Sequence, residues 1–122
     1  MSNEKNTKSY IQSRLKSFVY AYHGWKELYK EPNFKIHLFA TTAVIVAGII
    51  RQLDAMRWVA IVFAIGLVLV SEALNTCIEK LCDYACKKQP APEIKNIKDI
   101  AAMAVLIAAI ISIVIAVLVF RV

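Results

Sequence analysis

The sequence predicts an all-α integral membrane protein in which an amphipathic surface helix precedes three membrane-spanning helices. Of its 122 residues 59% are hydrophobic, well above the ~45–50% apolar share of a soluble domain. That excess is gathered into three long runs, as a bilayer demands of spanning helices, and is not scattered at helical or strand periods. Most basic residues flank the runs, where they suit membrane anchoring.

Residues 1–8 are polar and are expected as a frayed tail. Over residues 9–30, Ile11, Leu15, Phe18, Val19, Tyr22, Trp25 and Leu28 recur at three- and four-residue intervals, with Arg14, Lys16, Lys26 and Lys30 on other faces. Such a helix suits a membrane surface, its apolar face among acyl chains and its cations near lipid phosphates. Pro32 fits the first turn of the next helix, where its missing N–H has no intrahelical partner in any case, and the first span covers residues 34–50. Residues 51–57 read as a tight polar turn. The second span, residues 58–81, is purely apolar from Trp58 to Val70 and continues through Ser71, Glu72, Asn75, Thr76 and Glu79, since no helix breaker intervenes. A charged loop over residues 87–98, with Pro90 and Pro92, leads to the clearest span, residues 99–120. There Ala104, Ala108, Ser112 and Ala116 stand at four-residue intervals, a small-residue stripe suited to close helix packing.

Lys and Arg number seven through residue 35, two in residues 51–57, five in residues 80–98 and one at the C-terminal end. With three spans, the first and third groups lie on one side of the membrane, and the positive-inside rule makes that side cytoplasmic. The net charge of +6 does not indicate nucleic acid, because the basic residues do not interleave with aromatics in a groove-binding pattern. Cys77, Cys82 and Cys86 are too close in sequence to staple distant segments, and no further Cys or His adjoins them to complete a metal site. No small-residue cleavage pattern follows the first apolar run, so no secretory signal peptide is expected.

Glu72, Asn75 and Glu79 are spaced by three and four residues, which places them in one sector of a helix, and Asp83 returns to that sector a turn later. At a rise of ~1.5 Å per residue, Glu72 lies about 10 Å deeper in the membrane than Glu79. A carboxyl at that depth costs roughly 2.5–3.5 kcal/mol on insertion scales and is seldom retained without a task. Glu31 at the start of the first span, with Lys98 and Asp99 at the start of the third, reaches the same membrane level. Three helices thus deliver charge to one layer, which three helices alone are expected to shield poorly from lipid. Interhelical polar contacts, or a proton path in a transporter or channel subunit, are the other readings of the stripe. Lys98 and Asp99 also suit an ordinary helix start, and His37 reads as an interior polar residue and not as a ligand. With three glycines and no G-x-x-x-x-G-K-[ST] run, phosphate binding would rest on carboxylate-held Mg²⁺ and on Lys or Arg.

The run Glu72-Ala-Leu-Asn75-Thr-Cys-Ile-Glu79-Lys-Leu-Cys-Asp83, with Lys98-Asp99-Ile-Ala-Ala-Met-Ala after it and Glu31-Pro-Asn-Phe-Lys-Ile-His37 before it, closely resembles the prokaryotic diacylglycerol kinase family. The resemblance covers almost the whole chain. It implies a lipid kinase that uses ATP and Mg²⁺ on a lipid alcohol, a homotrimer with active sites between subunits, and a place in the bacterial inner membrane with the N-terminus and active site cytoplasmic. It also implies that Glu72 is the general base and that Asn75 orients it. Glu31 and Glu79 would hold the metal, and Lys98 and Asp99 would contact the nucleotide, as would Arg14 where it is not simply a membrane anchor. The Glu31-to-His37 segment looks more like members that prefer undecaprenol than those that prefer diacylglycerol.

Overall fold

The computed structural model describes residues 1–87 and 89–121. Among these described residues are four helices, α1 (Ser2–Leu28), α2 (Pro32–Ile50), α3 (Ala55–Ala85) and α4 (Pro92–Phe120). The last three are long and apolar enough to cross a membrane. The chain falls into two units, Met1–Pro32 and Asn33–Val122.

In the first unit, α1 starts at Ser2, so residues 2–8 are helical where a frayed tail was expected. Nothing in that stretch breaks a helix, Glu4 sits in the first turn where the helix dipole favours an anion, and Thr7 Oγ1 donates to the Asn3 carbonyl at 2.8 Å. No residue of α1 is buried. Two of its cations lie over aromatic rings one turn away, Arg14 at 4.8 Å from the Tyr10 centroid and Lys26 at 4.7 Å from Tyr22.

In the second unit, α2 ends in a left-handed cap. Gln52 has φ 52°, its N–H bonds the Ile49 carbonyl and the Leu53 N–H bonds the Gly48 carbonyl, both at 3.1 Å, which satisfies carbonyls a helix end leaves unpaired. The polar turn is shorter than expected because Asp54 caps α3, accepting from the Arg57 N–H at 3.0 Å. This starts α3 at Ala55, ahead of Trp58, and α3 runs on to Ala85. The second loop is also shorter than expected. Pro92 at the start of α4 and Glu93 in its first turn favour helix, so most of the expected loop is the first turns of α4. Lys88, counted among the basic residues of that loop, lies outside the described residues.

Helices α3 and α4 form the closest pair. On α4 the seam runs through Ala101, Val105, Ala108, Ser112, Ile115 and Val119, all buried or half-buried, whereas Ala104 is exposed. The alternating steps of four and three keep one face toward α3, while a strict four-residue stripe drifts around the helix. Ser112 Oγ donates across the seam to the Ala64 carbonyl at 3.0 Å. At the far end, Arg51 Nη2 reaches the Phe120 carbonyl at 2.9 Å, placing a cation at the α4 C-terminus, where the dipole is negative.

Gly48 lets the α2–α3 turn close. A Cβ there would stand 2.8 Å from a ring carbon of Trp58 and 3.2 Å from Leu53 Cδ1, whereas Gly24 has nothing within 4 Å of its Cβ position. Gly48→Ala is therefore expected to cost about 1–3 kcal/mol through overpacking, and Gly24→Ala to be neutral or stabilising by about 0.5–1 kcal/mol. Thermal unfolding in detergent, read by circular dichroism, checks the contrast.

Candidate active site

Helix α3 carries the polar stripe over about 16 Å from Glu72 to Asp83 at ~1.5 Å per residue. Glu72, Asn75 and Thr76 are buried, with Glu72 3% exposed. Glu79 is half-buried and Asp83 exposed. Glu72 and Asn75 are thus out of contact with the surroundings within a single chain. Asn75 Nδ2 donates to Glu79 Oε1 at 3.1 Å, an i,i+4 pair that the helical repeat brings together. Among the described residues, Asn75 Oδ1 has no hydrogen-bond partner despite its burial.

The two neighbouring helices meet the stripe at different depths. From α2, His37 Nε2 lies 3.8 Å from Glu72 Oε2. From α4, Lys98 Nζ donates to Asp83 Oδ1, while Lys95 Nζ donates to Asp99 Oδ2 one turn along its own helix. Lys98 therefore joins the stripe through Asp83, and Asp99 is held by Lys95. Glu31 is half-buried in the turn before α2, its N–H bonded to the Leu28 carbonyl at 2.9 Å. Arg14 is exposed on α1.

Sequence reasoning missed the role of His37 as the neighbour of Glu72. A signal was available, since counting outward from the α2–α3 turn puts both residues at comparable depth on antiparallel helices. His37 also opens onto a cavity of about 280 Å³ between α2, α3 and α4, whose walls include Thr41, Val44, Ile61, Val68 and Ala116.

Among the described residues no group of three or more His, Cys, Asp or Glu is placed to hold a metal ion by itself. Mg²⁺ commonly takes one or two carboxylates and completes its octahedron with water and substrate phosphates. The half-buried Glu79 carboxylate, oriented by Asn75, has the hard oxygen donors for that kind of site.

Residues 19–120 match the family described as prokaryotic diacylglycerol kinase. An undecaprenol kinase of Bacillus subtilis (strain 168) is 36% identical over 119 residues, 97% of this chain and 96% of the relative. A diacylglycerol kinase of Synechocystis is 34% identical over 112 residues, 91% of this chain and 64% of the relative. A diacylglycerol kinase of Sinorhizobium is 34% identical over 91 residues, 71% of this chain and 63% of the relative. The chain thus spans just under two thirds of the length of these two diacylglycerol kinases.

The orphaned Asn75 oxygen carries its own test. A buried acceptor left unpaired costs about 1–3 kcal/mol, so replacing Asn75 by an apolar residue of similar volume removes a penalty. Asn75→Leu is expected to melt at or above the wild-type temperature in detergent. Its rate in the lipid phosphorylation that the resemblance implies should fall by about 100-fold, as for loss of one preorganised polar contact. Parallel losses of stability and rate would instead make Asn75 a structural residue.

Proposed function

The chain belongs to the prokaryotic diacylglycerol kinase family and is a lipid kinase of the membrane, and we propose that it moves the γ-phosphoryl group of ATP to the hydroxyl of a lipid alcohol at the α3 stripe. The observation that carries this reading is Glu72, a carboxyl 3% exposed on a membrane-spanning helix, at the head of the polar stripe and one helical turn beyond Val68, which lines the apolar cavity. Glu72 accepts the proton of the lipid hydroxyl, whose oxygen bonds to the γ-phosphorus as the bond to the β,γ-bridging oxygen breaks and ADP departs. Asn75, anchored to Glu79, keeps this end of the stripe in register. Lys98, with Asp99 near it on α4, meets the nucleotide, and Arg14 is a further contact to ATP or lipid phosphate.

Glu79, with Glu31 as the second carboxylate, would hold Mg²⁺, which when bound neutralises charge on the phosphate oxygens. A cation is needed there on charge grounds alone, because Glu72, Glu79 and Asp83 outnumber Lys98 and would repel a bare triphosphate. Undecaprenol is the preferred acceptor. The Glu31-to-His37 segment supports this, as does near end-to-end coverage of a relative named undecaprenol kinase. The asymmetry of basic residues supports a place in the bacterial inner membrane with the N-terminus and stripe cytoplasmic, and the resemblance supports a homotrimer.

Purified protein supplied with labelled ATP and Mg²⁺ is expected to label undecaprenol faster than diacylglycerol when each is offered in separate micelles. Glu72→Gln is expected to lower that rate by about 100-fold or more, the scale of general-base catalysis, without lowering the melting temperature. A Gln variant as fast as wild type removes Glu72 from the chemistry, and label on neither lipid removes the proposed reaction.

A further inference from the structure

His37 both lies beside the polar stripe and lines the apolar cavity. Its Nε2 is 3.8 Å from Glu72 Oε2, and its ring is the polar feature of a cavity walled mainly by aliphatic side chains. The other polar residues lining that space are Thr41 and Ser112, and the Ser112 hydroxyl is committed to the Ala64 carbonyl. A cavity of about 150 Å³ with aliphatic walls accepts a benzene-sized guest. One of about 280 Å³ has room for a short run of hydrocarbon. Polar side chains inside membrane spans are costly and mark functional positions.

Resting on the lipid kinase reading above, we infer that His37 is the positioning residue for the acceptor alcohol. Its ring N–H holds the Glu72 carboxylate one helical turn beyond the cavity wall at Val68, so a lipid whose chain enters the cavity brings its hydroxyl toward an oriented proton acceptor. The separation of 3.8 Å exceeds a hydrogen bond and is that of a close polar contact. The hydroxyl proton goes to Glu72, and the imidazole keeps its own.

The test compares the unaltered chain with His37→Gln, His37→Asn and His37→Leu in detergent micelles, with Mg²⁺, ATP and either undecaprenol or diacylglycerol. Gln places an N–H donor near the Nε2 position, Asn places one near Nδ1, and Leu supplies bulk only. His37→Leu is expected to lower kcat about 10- to 100-fold, the scale of a misplaced reacting group. KM for ATP should stay within about twofold, and His37→Gln should recover most of kcat. A Leu variant with wild-type kcat overturns the inference, as does a loss confined to KM for ATP. A Gln variant as slow as Leu at an unchanged melting temperature also overturns it, since the ring itself would then take the proton. Should Leu fail to fold, Gln must still outpace Asn, and equal rates for the two count against the inference. If the unaltered chain phosphorylates neither alcohol, the proposed reaction falls and this inference with it, a result distinct from an active enzyme indifferent to residue 37.

Discussion

Glu72 sits on α3 one residue beyond an entirely apolar run, residues 58–70, with Ser71 between, and it is 3% exposed. A carboxyl group there cannot rely on water, so the protein around it has to supply its surroundings. Helix α2 does part of this by returning antiparallel to α3 and bringing His37 alongside. That return depends on the closed turn at the other end, where the left-handed Gln52, the Asp54 cap and the missing Cβ of Gly48 let Trp58 lie against α2. A backbone feature far along the bundle thus sets which side chain faces the buried carboxylate.

Helix α4 closes the arrangement from the third side. Its contact with α3 is made by small and β-branched residues in a three-four repeat, and Ser112 bridges it to the α3 backbone. Its two ends are tied differently. Lys98 joins Asp83 at the stripe end, and Arg51 reaches the Phe120 carbonyl at the other. Exposed ion pairs contribute little to stability, so the Lys98 pair matters more for where it keeps the ammonium group than for holding the helices together. Between the two ends lies the apolar cavity. The unit therefore grades from a charged face, through one buried carboxylate, to space fitted for hydrocarbon.

Much of this was legible in the residues. The three spans follow from runs of apolar side chains too long for any soluble element, and the grouping of Glu72, Asn75, Glu79 and Asp83 follows from the helical repeat alone. Helix ends were less legible, because caps such as Asp54 and starts such as Pro92 act through one or two hydrogen bonds or a single fixed φ, against a background of polar residues that also suits a loop. The α4 seam was legible only in part. Small residues at four-residue intervals are easy to see, yet packing selects the face that stays in contact over many turns, so Val105 and Ile115 belong to the seam and Ala104 does not. The partnership of His37 with Glu72 depends on how two helices are rotated against each other, which no periodicity within either helix encodes. Lys98 meeting Asp83, while Asp99 turns to Lys95, is a choice of the same kind.

On the proposed chemistry, burial of the base also bears on which acceptor is used. Water is the most abundant competing hydroxyl for any phosphoryl donor, and a proton acceptor open to solvent would activate it as readily as a lipid. Glu72 is enclosed, whereas Glu79 is half-buried and Asp83 exposed, so access to aqueous solutes rises along the stripe away from the base. A nucleotide can approach from the exposed end, where Lys98 can exchange the Asp83 carboxylate for a phosphate oxygen at little cost because both partners are solvated. A hydroxyl reaches Glu72 most readily from the apolar side, attached to a chain that the cavity tolerates and bulk water does not favour. Selectivity for a lipid over water then arises from the direction of approach, with positioning and charge neutralisation supplying the rate.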